Sequence, residues 1–151
     1  MLSYSTRHLL VMAWLPVDST AALRGILDAA RPGSGLSLRL APSTFLLGGL
    51  PLNVTGFNLT IAGDAATTIL DGEGLSRLVS VSSGGWLKLS NLTLTGGNTS
   101  YYGGAVFASG SGTGVQLSDD RVSHCNASYG GGLAITTGAT LLLTGCTVHS
   151  C

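Results

Sequence analysis

The feature of this chain that most constrains its fold is an internal repeat in its second half. The segment that begins at Leu89 matches the segment that begins at Leu117, an offset of 28 residues. Further matches at this offset are Asn98 with Asn126, Ser100 with Ser128, Tyr101 with Tyr129, and Gly103-Gly104-Ala105 with Gly131-Gly132-Leu133. A further shift of 26 residues sets Leu117 on Leu143. The first repeat is thus two residues longer than the second, and we assign the two extra residues to the loop 109–114. Sequence repeats of about 20 to 50 residues indicate solenoids, propellers or similar arrays.

From Leu36 onward, apolar and polar residues alternate in short runs. Examples are LSLRL (36–40), WLKLSNLTL (86–94) and TLLLTGCTV (140–148), each bounded by Gly, Ser, Asn or Asp. Such runs predict short β-strands and therefore an all-β chain. One repeat holds about three strands, which is too few for a four-stranded propeller blade. It fits one coil of a parallel β-helix, whose equivalent strands stack about 4.8 Å apart. We therefore predict a β-solenoid of about five coils.

The segment Thr20–Ala30 has the only helical pattern that we find. Ser19 or Thr20 can serve as the N-cap, and Pro32-Gly33 ends the helix. Four apolar residues share one face at helical spacing, namely Leu23, Ile26, Leu27 and Ala30. Because the first coil of a solenoid exposes an apolar end, we predict that this helix caps it.

Residues 1–19 have the layout of a secretory signal peptide. Arg7 precedes the short apolar run Leu9–Val17, and small or aliphatic residues follow near Ser19. The alternatives are the start of a fragment or a wrongly assigned first exon. A signal peptide implies an extracellular or cell-surface location. We expect residues 20–151 to form the β-helix domain, and we expect this domain to be truncated at its C-terminus because Cys151 lies inside a repeat.

Charge and hydropathy exclude several classes of protein. Seven Lys+Arg balance seven Asp+Glu, so the chain lacks the basic footprint of a nucleic-acid binder. A hydrophobic fraction of 44% with only 9% charged residues excludes disorder by low hydrophobicity and high charge. The longest apolar run, Leu9–Val17, is about half the length that a membrane-spanning helix needs. We therefore expect neither a nucleic-acid partner nor a membrane span in this chain.

The repeat also resembles a known family. The segments 87–112 and 115–135 are similar to right-handed parallel β-helix proteins of the pectin-lyase-like superfamily, and more narrowly to the surface repeats of polymorphic outer-membrane proteins. Gly103-Gly104-Ala105-Val106 fits the Gly-Gly-Ala-aliphatic signature of those repeats, whereas Gly131-Gly132-Leu133-Ala134 departs from it. Their Phe-x-x-Asn signature is replaced by Val122 and Cys125. The resemblance implies a right-handed parallel β-helix with a role at the cell surface.

The densest polar cluster is Asp119-Asp120-Arg121, followed by His124. Polysaccharide-degrading β-helices use carboxylates with Arg or His, so a polysaccharide lyase or glycoside hydrolase of acidic polysaccharide is the alternative function. However, adjacent strand residues point to opposite faces, so Asp119 and Asp120 cannot both line one groove. We interpret the cluster as a solvated turn and predict no catalytic residue and no cofactor. The preferred function is a non-catalytic structural or adhesive module that binds carbohydrate or protein along its flank.

The three cysteines can be placed through the repeat. The 26-residue shift stacks Cys125 on Cys151 in the next coil, within the Cα separation that a disulfide allows. We therefore predict that these two cysteines can form a disulfide, which leaves Cys146 without an assigned partner. The alternative is a ladder of buried thiols. A metal site that adds His124 and His149 to the cysteines is a further alternative, although the spacing matches no zinc pattern.

The five asparagines indicate the compartment. All five occur in Asn-x-Ser/Thr sequons: Asn53, Asn58, Asn91, Asn98 and Asn126. With 34 Ser and Thr among 151 residues, chance places all five in sequons on the order of once in two thousand sequences. We therefore predict N-glycosylation at several sites in a eukaryotic host. The alternative for Asn98 and Asn126 is a stacked amide ladder that stabilises the turns.

Overall fold

The computed structural model describes residues 14–64 and 67–151. These residues form one helix, α1 (Thr20–Asp28), and fifteen strands. The strands are β1 (Leu15–Val17), β2 (Gly35–Leu40), β3 (Thr44–Leu46), β4 (Leu52–Thr55), β5 (Asn58–Ala62), β6 (Ile69–Asp71), β7 (Val79–Ser82), β8 (Trp86–Ser90), β9 (Thr93–Thr95), β10 (Val106–Ser109), β11 (Gly114–Ser118), β12 (Arg121–Ser123), β13 (Leu133–Thr136), β14 (Thr140–Thr144) and β15 (Thr147–His149). Among the described residues, no helix is long and apolar enough to cross a membrane.

The strands form three sheets, and every paired strand is parallel to its neighbour. Sheet I has the order β1-β2-β5-β8-β11-β14, sheet II has β3-β6-β9-β12-β15, and sheet III has β4-β7-β10-β13. From β5 onward, each strand therefore pairs with the strand three places earlier in the chain. This connectivity is a β-solenoid of about five coils, which confirms the predicted fold class. The right-handed sense of the coil stays a prediction.

The core consists of columns of aliphatic side chains, one residue from each coil. In sheet I, Ile61, Leu89, Leu117 and Leu143 are in register on successive coils. The first three are at most 2% exposed, because each has a coil on both sides. Leu143, in the last coil, is 42% exposed. Alternate strand positions point outward, which is why a period of two in the sequence predicts this arrangement.

Helix α1 closes the N-terminal end of the solenoid. The hydroxyl of Ser19 accepts a hydrogen bond from the backbone N–H of Ala22 at 3.1 Å, which confirms the predicted N-cap. Leu23 and Leu27 are buried in the core, and Ile26 and Ala30 pack against its margin. The Arg24 guanidinium donates hydrogen bonds to two carbonyl oxygens of the first coil. The helix ends two residues earlier than predicted, at Asp28.

Part of the predicted signal peptide belongs to the solenoid in this structure. Strand β1 pairs with β2, and Val17 is 2% exposed. Residues 1–13, which hold the rest of the predicted leader, lie outside the described residues. The leader itself stays a prediction.

The predicted repeat register is correct at its ends and wrong by one residue in its middle. Asn98 pairs with Asn126 as predicted, but Tyr129 pairs with Tyr102 rather than with Tyr101. Val106 consequently pairs with Leu133, so the predicted match of Gly103-Gly104-Ala105 with Gly131-Gly132-Leu133 is also shifted by one.

The physical reason is a backbone constraint. Gly103 and Gly130 both have a positive φ, of 60° and 61°, at the same turn. A Cβ atom at either glycine would overlap the carbonyl oxygen three residues further on. The turn therefore aligns Gly103 with Gly130. One of the two extra residues of the longer repeat then falls before this turn, and the other falls in the loop 110–113.

We predict that Leu117→Ala lowers the free energy of unfolding by about 2 to 5 kcal/mol, because it leaves a cavity between two occupied coils. The matched control is Gln116→Ala on the outward face of the same strand, which should change stability by about 0.5 kcal/mol or less. Urea denaturation of both variants measures the difference. Equal losses would contradict the inward and outward assignment of β11.

Candidate functional site

The two predicted carboxylates lie at the corner between β11 and β12, in different environments. Asp119 is exposed and has a positive φ of 56°. Its counterpart one coil earlier, Asn91, is also exposed and has a φ of 55°. Asp120 is only 3% exposed. Its two carboxylate oxygens each accept one backbone hydrogen bond at 3.0 Å, from Leu92 and from Ser118. The interpretation as a solvated turn therefore fits Asp119 and is wrong for Asp120.

Burial raises the pKa of Asp120 to about 6. The two backbone N–H groups oppose this shift, and the neighbouring Asp119 adds to it. His124 lies at the next corner, beyond the whole of β12, with its ring 5.9 Å from that of His149. Asp119, Asp120 and Arg121 nevertheless line one surface pocket, so the prediction that the two carboxylates cannot share a groove is wrong, because the positive φ of Asp119 interrupts the strand alternation. The structure thus brings three of the four predicted residues together, with Asp120 bound to the backbone, and leaves His124 exposed at another corner.

All three cysteines are free thiols in the structure. The register that pairs Val122 with Val148 carries Cys125 to the level of Cys151 one coil on. Cys125 is 2% exposed, and its burial raises the pKa of the thiol to about 11, so that it is protonated at neutral pH. Each thiol donates to a backbone oxygen two residues earlier in the chain. The disulfide between Cys125 and Cys151 stays a prediction. In the part of the chain that the structure describes, no group of three or more His, Cys, Asp or Glu could hold a metal ion.

All five sequon asparagines are exposed. Two of them form the amide ladder that was the alternative to glycosylation. The Asn126 Nδ2 donates to the Asn98 Oδ1 at 3.3 Å, and the Asn98 Nδ2 donates to the Gly74 carbonyl oxygen at 3.0 Å. The ladder links three successive coils along one corner. Glycosylation at the five sites stays a prediction.

Next to this ladder lies an aromatic cluster that our sequence analysis did not identify as a site. The cluster consists of Tyr101, Tyr102, Tyr129 and Phe107. The ring of Tyr102 lies 5.6 Å from that of Phe107 at 13°, 5.2 Å from that of Tyr129, and 5.0 Å edge-on from that of Tyr101. Such distances are typical of interacting aromatic pairs. Tyr101 and Tyr129 are 64% and 61% exposed, so the outer rings of the cluster face solvent.

Arg77 holds the cluster in place from the preceding coil. Its Nε donates to the carbonyl oxygens of Tyr102 and Gly103 at 3.0 and 2.9 Å, and its Nη1 donates to the Ser80 hydroxyl at 3.2 Å. The guanidinium carbon lies 4.9 Å from the centre of the Phe107 ring. Burial lowers the pKa of the Arg77 guanidinium. Since its donors already bind backbone and Ser80, Arg77 acts as a positioning group for Tyr102 and Phe107.

The two exposed tyrosines belong to a longer apolar ridge. The four most exposed large apolar side chains of the described residues all lie in loops that connect sheet II to sheet III, one in each of the first four coils. They are Leu50, Leu75, Tyr101 and Tyr129. We call this row the apolar ridge. The sequence does contain a signal for the tyrosines of this ridge, because Ser-Tyr recurs at 100–101 and 128–129. This recurrence indicates the repeat, but it does not indicate that the rings share one exposed surface.

No protein-family model matches this chain, and neither a curated protein nor a solved structure matches it.

The buried Asp120 carboxyl should make stability depend on pH. Because its pKa is higher in the folded chain than the ordinary value of 3.8, the stability that it contributes is fully present below about pH 4 and is lost as the pH rises through about 6. We expect Asp120→Asn to remove this fall in the free energy of unfolding. The control Asp119→Asn, at the exposed neighbour, should retain it. Urea denaturation between pH 4 and 7 makes the comparison, and an unchanged slope in Asp120→Asn would contradict the assignment.

We expect several of the five sequons to carry glycan when the chain is secreted from a eukaryotic host, because all five asparagines are exposed. N-glycosidase treatment should lower the mass of the wild-type chain. A variant with all five asparagines changed to Gln is the control and should keep its mass. An unchanged wild-type mass would refute glycosylation and leave the amide ladder as the role of Asn98 and Asn126.

Proposed function

We propose that this chain is a non-catalytic module of a secreted or cell-surface protein, with a structural or adhesive role, which binds carbohydrate or protein along its flank. The observation that carries the proposal is the apolar ridge with its aromatic cluster. Exposed tyrosines that sit beside uncharged polar groups are typical of binding surfaces, because each ring offers a large contact area with little conformational entropy to lose.

The fold supports a binding role along the flank. In a solenoid, every coil adds an equivalent loop at the same corner, so that the loops form one extended surface. The apolar ridge follows such a row through four coils. The solenoid and the Gly-Gly-Ala-aliphatic segment at 103–106 also support membership of the pectin-lyase-like superfamily, with repeats like those of polymorphic outer-membrane proteins.

The sequons and the N-terminal sequence support an extracellular location. Five asparagines of five lie in sequons, and all five side chains reach the surface. The apolar run before Asp18 fits a secretory leader. These two features together motivate the cell-surface assignment.

The alternative is a polysaccharide lyase or glycoside hydrolase. Hydrolysis needs two carboxyl groups about 5 to 10 Å apart across the substrate. Both oxygens of Asp120 already accept backbone hydrogen bonds, which gives this carboxyl a structural role at its corner. His124 lies at a different corner of the coil. These contacts favour the non-catalytic proposal.

The proposal is tested on a surface coated with a mucin-type glycoprotein, before and after enzymatic deglycosylation, together with an activity assay on polygalacturonate with and without calcium. We expect the chain to be retained on the coated surface and to release no new reducing ends or unsaturated products. Retention that deglycosylation abolishes identifies a glycan ligand, and retention that survives it identifies a protein ligand. Turnover that Asp119→Asn or Asp120→Asn abolishes would establish the enzyme instead, and absence of retention on both surfaces would contradict the adhesive role.

A further inference from the structure

The geometry points to a binding site for a neutral glycan on the aromatic cluster, with the rings of Tyr101 and Tyr129 stacking against sugar rings. This inference rests on the proposed binding role and names its site and ligand class. The hydrogens on the apolar face of a pyranose ring carry partial positive charge and are attracted to the negative face of an aromatic ring. Two tyrosines more than 60% exposed on adjacent coils offer such faces.

The spacing of the rings suits an extended chain of sugars. Tyr102 contacts the exposed ring of Tyr101 edge-on at 5.0 Å, and the ring of Tyr129 lies 5.2 Å from the ring of Tyr102 in the preceding coil, close to the separation of neighbouring coils. This distance is also close to the length of one pyranose unit in an extended glycan. A glycan that runs along the solenoid axis would therefore meet an exposed tyrosine on each of two adjacent coils, with Tyr101 one position before the Tyr102 that pairs with Tyr129.

The surroundings of the cluster select an uncharged ligand. The stacked loops 97–104 and 125–132 contain no charged residue. The outward positions of sheet III next to Phe107 carry hydroxyl, amide or methyl groups: Asn53, Thr55, Ser80, Ser82, Ser109, Ala134 and Thr136. The nearest cation, Arg77, already donates to backbone oxygens and Ser80. Among the residues that the structure describes, a uronate polymer would find no free cation at the cluster, whereas the hydroxyls of a neutral sugar can exchange hydrogen bonds with these uncharged groups.

The cluster is held rigid before a ligand arrives. Arg77 fixes the backbone at Tyr102 and lies over the ring of Phe107. The Ser128 hydroxyl donates to the Ser100 carbonyl oxygen at 3.0 Å, which ties together the two loops that carry the exposed tyrosines. Preorganised rings lose little entropy on binding, so their stacking energy is available for affinity.

The outer face of sheet I offers a rival site around Trp86, Lys88 and Gln116. There the Trp86 ring lies over Gly114, and its N–H donates to the Gly112 carbonyl oxygen at 3.1 Å. That ring is thus engaged with its own neighbouring coil. Lys88 gives the rival face a positive charge, so it would favour an acidic glycan, and the two sites predict opposite ligand preferences.

The first experiment measures ligand class by isothermal titration calorimetry on the full chain. The probes are β-1,4-linked hexamers of glucose, mannose and xylose, which are neutral, and a hexamer of galacturonate, which is acidic. We expect at least one neutral hexamer to bind, and to bind at least about tenfold more tightly than the acidic hexamer. Near-ultraviolet circular dichroism of the unmodified chain should show a tyrosine change on addition of that neutral hexamer.

The second experiment locates the site with variants. Tyr101→Ala and Tyr129→Ala should each weaken binding of the neutral hexamer by about tenfold. Tyr129→Phe keeps the ring and should stay within about threefold of the wild type. The control Leu142→Ala removes an exposed apolar side chain from the outer face of sheet I and should leave binding unchanged. Thermal unfolding of each variant verifies that the solenoid is intact.

Three outcomes would overturn the inference. They are full binding by both Tyr→Ala variants, loss of binding in Trp86→Phe with the tyrosine variants unaffected, and failure of every neutral hexamer to bind. If the chain is still retained on the glycoprotein surface in these cases, the adhesive proposal stands and only the tyrosine site falls. If an alanine variant does not fold, the tyrosine signal of the unmodified chain decides the result, and the absence of a change on addition of the neutral hexamer overturns the inference.

Discussion

The structure depends on one constraint, which is that each coil must stack in parallel register on the coil before it. The backbone groups of one coil find their hydrogen-bond partners in the next coil, and the inward leucines and valines of both coils share one column. A residue buried in the middle of a column therefore has neighbours above and below, as Leu89 and Leu117 do. At the N-terminal end of the described solenoid, β1 pairs with β2 and α1 packs against the core of the first coil.

The same stacking explains the polar residues that the core admits. Asp120 is buried because two backbone N–H groups at the corner bind its carboxylate oxygens, which partly offsets the cost of removing a carboxyl group from water. The raised pKa shows that this compensation is incomplete. Cys125 is an apolar occupant of its column, and its thiol is held in the protonated form by burial. In a sequence, an aspartate or a cysteine can indicate a reactive site. In this structure, both residues are instead explained by how the corners of the coils pack.

The flank follows a different rule from the core. Outward positions need no match between coils, so a cluster of four aromatic rings on adjacent coils is not required by the fold. Arg77 adds hydrogen bonds and a contact with an aromatic ring in this region. The coils of the solenoid would stack without these contacts. This extra organisation of a solvent-facing surface is the reason for assigning it a ligand.

The amino-acid sequence alone determined the coil, its strands and its cap, because these depend on local patterns. The alternation of Leu and polar residues from Leu36 specifies which side chains point inward, and Ser19 followed by the apolar face of 20–30 specifies the helix. Tertiary structure decided what depends on register. Whether Tyr129 meets Tyr101 or Tyr102 rests on the glycine turns at 103 and 130, since a one-residue difference between repeats can be placed in several loops. The burial of Asp120 and the clamp of Arg77 on Phe107 likewise join residues 25 to 30 positions apart, and no local pattern encodes such contacts.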